Sequence, residues 1–510
     1  MLSKVLSSAV LGIDAYIVEV EVDISPGLPS FATVGLPDVA VKESKDRVKA
    51  ALKNSGFEFP AKRITVNLAP ADIKKEGPSF DLPIAIGILA ALGLVNFDRL
   101  KSYVILGELS LDGGIRPVRG ALPMAMASLE AKIEGILLPA ENAPEAAVVE
   151  GINVYPVETL AQAVGFINGE LSIEPTKINL DFAFNEASQY SVDLADVKGQ
   201  AHAKRALEVA AAGAHNILLI GPPGSGKTML AKRVPTILPN LSLEEAISTT
   251  KIWSIAGLLP GRTALLATRP FRSPHHTISD AGLIGGGYMP RPGEVSLAHH
   301  GVLFLDELPE FHRHVLEVLR QPLEDGCVTI SRAITSLTYP ARFMLIAAMN
   351  PCPCGYLTDP RHECRCTPGE IQRYRARISG PLLDRIDLHI EVPPLRYQEM
   401  AEATDGEASV AVRERVKEAR AVQQERFKKT RIYANAHMGQ KHLKRFCVLD
   451  QEGRRLLEMA MERLGLSARA YDRILKVSRT IADLEKSETI RPEHLAEAIQ
   501  YRSLDRDLIR

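Results

Sequence analysis

Long apolar runs are missing from this sequence. No segment approaches the roughly 20 consecutive apolar residues that a bilayer-crossing helix needs, so a soluble, cytoplasmic chain with no membrane partner is expected. A surplus of charge is missing too: the formal net charge is -1 at pH 7, so any affinity for DNA must come from local basic residues. Cysteine is scarce, six in 510 residues. That is too few for a disulfide scaffold, yet four of the six crowd into the fifteen residues from Cys352 to Cys366, the pattern of a cytosolic protein with one local metal site. The opening MLSKVLSSAVLGIDAYIVEVEVDIS lacks a small-residue cleavage site and carries Asp14, Glu19, Glu21 and Asp23, so it is read as strand and not as a signal peptide. Internal repeats and low-complexity tracts are absent.

What is present is ordinary globular composition, 46% hydrophobic and 24% charged, over a length that exceeds a single core. Residues 1–170 alternate β-branched runs (AYIVEVEVDI, RITVNLAP, SYVILGELSL, EGILLPA) with alanine-rich helical stretches, which predicts an α/β or α+β domain. Residues 171–190 are polar with weak periodicity and read as a linker. In 191–395 the apolar segments NILLIG, GVLFLDEL, FMLIAAMN and IDLHIEV have the continuous hydrophobicity of parallel strands covered on both faces. Residues 396–510 read as a helical domain with a charged face.

The strand NILLI runs into GPPGSGKT, from Gly221 and Pro222 through Pro223, Gly224, Ser225 and Gly226 to Lys227 and Thr228, and then into a helical pattern. Glycines let backbone N–H groups curl round phosphate oxygens, Lys227 supplies a charge at the β- and γ-phosphates, and the Thr228 hydroxyl can ligate Mg²⁺. GVLFLDEL ends in Asp306 and Glu307. The first would hold Mg²⁺ through water and the second would polarise the attacking water; alone, such a pair would be read as a helix cap. FMLIAAMN ends in Asn350, a neutral amide able to position water beside the γ-phosphate, or a simple turn former. In GPLLDRIDLHI, Arg385 is either an arginine finger for a neighbour's γ-phosphate or the partner of Asp384 or Asp387.

The order of these motifs, with the insertion RPFRSPHHTISDAGLIGGGYMPRPGEVSLAHH and the segment AAMNPCPCGY, closely resembles the magnesium-chelatase-like AAA+ ATPases, and within them the ComM/YifB group, over essentially the whole chain. The resemblance implies a hexameric ring that hydrolyses ATP with Mg²⁺. It also implies a helicase that promotes branch migration on single-stranded or branched DNA during natural transformation. It identifies 396–510 as the helical lid, with Arg469 in LSARAYDRIL as the second sensor; the plain alternative is a solvated residue beside Asp472. The alternating segment GCVTISRAITSLTYPARF predicts a hairpin, which the resemblance points into the ring pore with Arg332 as a DNA-contact candidate. His275, His276, His299 and His300 fall in or beside the insertion and are assigned no metal.

Cys352, Cys354, Cys364 and Cys366 form two C-x-C pairs. Four thiolates this close fit a closed tetrahedral Zn²⁺ site, with free buried thiols or a redox pair as the alternatives. Cys327 and Cys447 are isolated and read as small core residues.

The first domain carries KKEGPSFDLP and GELSLDGGIRPVRGALPMAMASLEA, which resemble the two halves of a Lon-type protease site. Ser79 takes the nucleophile's place, but Leu122 takes that of the catalytic lysine, and leucine cannot accept the serine proton. A Lon-like fold without its chemistry is expected. Two further readings stay open: a magnesium-chelatase motor subunit that remodels a partner for metal insertion into a tetrapyrrole, and an ATP-dependent protease.

Overall fold

The computed structural model describes residues 1–505 except 76, 181–183, 185–189, 262, 288–289, 332–335, 358, 395–405, 429 and 431. They divide into two compact units, Met1–Ala187 with Leu243–Ala267, and Ser188–Ser242 with Thr268–Arg510.

The first unit is built on a seven-stranded mixed sheet in the order Ser30–Val34, Arg63–Ala69, Asp14–Ser25, Leu2–Leu11, Tyr103–Ile105, Gly135–Pro139, Asn153–Val157. Asp14–Ser25 shows why: its residues alternate, and Val18, Val20, Val22 and Ile24 all turn inward and are buried. Each such side chain is worth about 1.5–3 kcal/mol when fully withdrawn from water. Leu2–Leu11 pairs with it antiparallel from Leu11↔Asp14 outward, the chain reversing at Gly12 with φ 66°. Helix Asp81–Ala91, apolar and buried nearly all round, packs on these two strands. It comes so close that a Cβ at Gly87 would stand 2.7 Å from Val22 Cγ2.

Helix Leu243–Ala256 belongs to this unit, although the sequence reading counts 243–267 with the nucleotide-binding segment. Lys251 Nζ reaches Asp14 at 2.6 Å, and the Ser254 hydroxyl donates to the buried Glu145 carboxylate.

The second unit holds a five-stranded parallel sheet in the order Phe271–Arg272, Val302–Leu305, Met344–Met349, Ile217–Ile220, Leu388–Glu391. Four of these are the apolar segments read from the sequence, and Ile217–Ile220, Val302–Leu305 and Met344–Met349 are buried at every residue. The polar groups of such strands are satisfied by neighbouring strands, so continuous hydrophobicity is the pattern this position demands. Helices Ser409–Phe427, Gln451–Leu464, Ala468–Leu484 and Pro492–Gln500 make the C-terminal part helical, as expected. Between the second and third, Gly465 takes the left-handed conformation (φ 64°) and the Ser467 hydroxyl caps the next helix at Ala470 N, 3.2 Å away. The apolar face of Ala468–Leu484 packs on helices Ala201–Gly213 and Ser409–Phe427.

The expected hairpin also forms: Cys327–Ser331 pairs antiparallel with Ser336–Pro340, from Cys327↔Pro340 to Ser331↔Ser336. Arg332, the DNA-contact candidate at its tip, lies outside the described residues. Among the described residues no helix is long and apolar enough to cross a membrane.

Candidate functional site

Parallel strands all finish at the same edge of a sheet, so the loops that follow them meet there. In the second unit three strands use this rule. Ile217–Ile220 leads into the glycine-rich loop, Val302–Leu305 into Asp306 and Glu307, and Met344–Met349 into Asn350. The loop needs its glycines. Gly224 and Gly226 have φ of 75° and 91°, and a Cβ at Gly221 would stand 2.2 Å from the Val392 carbonyl oxygen. Gly226 hands over to helix Lys227–Ile237, whose free N-terminal amides and dipole favour anions at the loop.

Thr228 Oγ1 donates to Asp306 Oδ2 at 2.7 Å. The Met344–Met349 strand lies between the strands that lead to them, so the bond joins the loops of two strands that stand two spacings, about 10 Å, apart. Lys227 Nζ donates to the carbonyls of Gly221 (2.7 Å) and Pro222 (2.9 Å) and lies 3.3 Å from Asn350 Oδ1. Burial holds the Lys227 ammonium below the ordinary lysine value, with the carboxylates of Asp306 and Glu307 offsetting only part of the shift. A hydroxyl and a carboxylate side by side are hard oxygen donors suited to Mg²⁺.

Glu307 is held in the left-handed region, φ 54° and ψ 47°, before the short turn Leu308–Glu310. A non-glycine residue there costs about 1–2 kcal/mol, and such strain gathers where a side chain must be aimed. Its carboxylate is exposed and lies 3.4 Å from His276 Nδ1. In the sequence His276 is one residue of an insertion. No local pattern ties the histidine to a carboxylate so far along the chain; only the fold does.

Arg385 is buried. Its guanidinium donates to the Pro381 carbonyl at 2.5 Å and pairs with Glu324, while Nε is buried with no hydrogen-bond partner among the described residues. The ion pairs with Asp384 or Asp387 that the sequence offers do not form. Those carboxylates take two arginines from helix Ala468–Leu484: Arg469 lies 3.4 Å from Asp384 Oδ2, and Arg473 lies 3.0 Å from Asp387 Oδ1. Arg469 is exposed, and its contact is Asp384, not Asp472. Burial pushes the Asp387 carboxyl up, but Arg473 and the His215 hydrogen bond outweigh it and hold the group well below the usual carboxylate range. The residue before Arg385 and the second one after it are thus tied to the helix that carries Arg469.

Cys352, Cys354, Cys364 and Cys366 converge, with all four Sγ atoms within 4.8 Å of one another. Burial pushes the Cys352 thiol up to about 12, whereas the Tyr356 backbone N–H, with Arg365 N–H and neighbouring thiols, lowers Cys354 to about 6. Cys447 is buried and Cys327 half-buried, both apart from the cluster.

In the first unit, Ser79 lies in the short turn Pro78–Phe80 and is 8% exposed. Leu122 is fully buried at the start of helix Ala121–Glu130, its N–H donating to Glu145 Oε1 at 2.9 Å. Lys75, also buried, donates to the Ile73 carbonyl at 2.6 Å.

Family models match three stretches: magnesium chelatase subunit ChlI at residues 193–400, subunit ChlI of Mg-chelatase at 20–142, and the ChlI C-terminal region at 406–502. The chain is 49% identical to the competence protein ComM of Haemophilus influenzae over 509 residues, 99% of this chain and 98% of that one. It is 46% identical to YifB of Escherichia coli over 509 residues, 100% of this chain and 98% of that one. A local similarity, 34% over 126 residues, links it to Lon protease 2 of Bacillus subtilis, covering 24% of this chain and 22% of that protein.

Proposed function

The chain belongs to the ComM/YifB family of magnesium-chelatase-like proteins, and from that premise we propose that it is an ATP-hydrolysing AAA+ ring motor acting on DNA, a hexameric helicase that drives branch migration on single-stranded or branched substrates. The observation that carries the reading is the meeting of Thr228 with Asp306 and of Lys227 with Asn350 at the ends of parallel strands. The Haemophilus relative's name, a competence protein, supports a role in competence, which we take to be the integration of incoming DNA during natural transformation.

In this mechanism the loop amides and Lys227 cradle the phosphates. Thr228 and Asp306 would hold Mg²⁺, which neutralises phosphate charge when bound. Glu307 polarises the attacking water, Asn350 orients it, Arg385 reaches a neighbour's γ-phosphate, and Arg469 senses nucleotide from the lid. A structural Zn²⁺ in the four-cysteine cluster completes the cofactors. We propose a Lon-like fold for residues 1–170, without proteolysis, because buried Leu122 offers no base for Ser79.

Purified protein should hydrolyse ATP faster with forked DNA and move three- or four-stranded junctions. Absence of both removes the DNA reading. Arg385→Ala should block hydrolysis alone and recover it when mixed with Glu307→Gln protein, because each variant supplies what the other's interface lacks. A mixture that stays inactive would assign Arg385 only its structural pair with Glu324.

The ChlI family models favour a second reading, a motor subunit for metal insertion into a tetrapyrrole. ATP-dependent metal insertion in the presence of partner subunits would support it; a shared fold alone does not.

A further inference from the structure

We infer that Zn²⁺ held by Cys352, Cys354, Cys364 and Cys366 braces the phosphate loop, so that metal occupancy sets nucleotide affinity. The inference rests on the reading of the second unit as an ATP site and deepens it.

The four sulfurs have the spacing of a tetrathiolate site. Cys352 Sγ lies 3.4 Å from Cys354 Sγ and 3.7 Å from Cys364 Sγ, and Cys354 Sγ lies 3.6 Å from Cys364 Sγ. A tetrahedron with Zn–S bonds of about 2.3 Å has sulfurs about 3.8 Å apart, whereas a disulfide needs about 2.05 Å. The Cys354 N–H donates to Cys366 Sγ at 3.4 Å, a contact that steadies a thiolate ligand from its backbone side.

The described part of 352–366 contains no helix or strand, so few backbone bonds fix its shape. Metal–sulfur bonds are the obvious source of order in such a segment. Its two ends are nevertheless anchored. Thr367 and Glu370 form a capping box that starts helix Pro368–Arg375, and Arg375 folds back onto the Pro351 carbonyl, with Nη2 at 3.3 Å.

Near its start the segment packs against the phosphate loop. Gly355 follows Cys354 at φ 86°, its N–H bonded to the Cys352 carbonyl at 3.0 Å. A Cβ there would stand 2.7 Å from Pro223 Cδ and 3.9 Å from Asn350 Cγ. Pro223 belongs to the phosphate loop, and Asn350 meets Lys227. A turn shaped by the cysteines is therefore the surface against which the loop rests, and a shift there moves the groups that hold phosphate.

The experiment uses the full chain and two variants. The wild-type protein should carry about one zinc per chain by elemental analysis, and its cobalt-substituted form should show the visible and thiolate charge-transfer bands of tetrahedral Co–S ligation. Cys364→Ser with Cys366→Ser should lose the metal, keep its far-ultraviolet circular dichroism, and bind a fluorescent ATP analogue about tenfold or more weakly, as small misplacements of a site can cause. Gly355→Ala should keep the zinc yet also bind the analogue more weakly, since its methyl group pushes on Pro223. The inference is overturned by a wild-type protein that binds the analogue but holds no zinc, by a folded zinc-free variant that binds as tightly as wild type, or by Gly355→Ala binding unchanged. Zinc-loaded wild-type protein that binds no nucleotide would remove the ATPase reading itself, and the brace with it.

Discussion

Lys227→Ala protein should fold, retain its helices, and bind no ATP at micromolar concentration. The ammonium sits at the start of helix Lys227–Ile237 with two loop carbonyls and Asn350 around it, and methyl cannot replace any of those contacts. Truncating one member of a buried charge pair costs about 2–5 kcal/mol, which is roughly thirtyfold to several-thousandfold in affinity. The measurement is an equilibrium titration with a fluorescent ATP analogue beside circular dichroism. Tight binding by the folded variant would show that the glycine-rich loop is a turn and not a phosphate cradle.

Glu307→Gln should separate binding from chemistry. Glutamine has the same length and keeps the Asp306–Thr228 pair intact, so ATP binding and assembly should persist. An amide cannot draw a proton from water, and loss of such a group lowers turnover by about a hundredfold to ten-thousandfold. Single-turnover hydrolysis read against nucleotide retained on the protein measures the difference. Wild-type turnover would transfer the role to another carboxylate. The left-handed backbone at this position (φ 54°) does not complicate the test, because both side chains meet the same strain there.

What the sequence disclosed follows from how local the signal is. The glycine-rich loop, the acidic pair and the apolar strands are contiguous patterns, and each appears where its residues put it. The hairpin was legible because alternation is a property of ten neighbouring residues. The strands Ser30–Val34 and Asn153–Val157, at the two edges of the sheet, are not legible, since the first mixes serine, alanine and threonine with one phenylalanine and the second carries Pro156 in place of a continuous apolar run.

Side-chain partners were legible least. Glu324 takes Arg385, while the nearer Asp384 and Asp387 turn to another helix. His276 stands beside Glu307 because the parallel sheet gathers its loops. The four cysteines were the exception: their clustering in sequence already implied clustering in space, and the fold added what lies against them.

The placement of helix Leu243–Ala256 in the first unit means that the chain passes between the units three times, near 187, 242 and 267. Each unit is built from two separate stretches of chain. A fragment ending at residue 190 would strip Glu145 of the Ser254 hydroxyl and Asp14 of Lys251, while its counterpart would carry an orphaned helix. Dissection of this molecule into working halves therefore calls for splicing out 243–267 and closing the gap, since no single cut leaves either half whole.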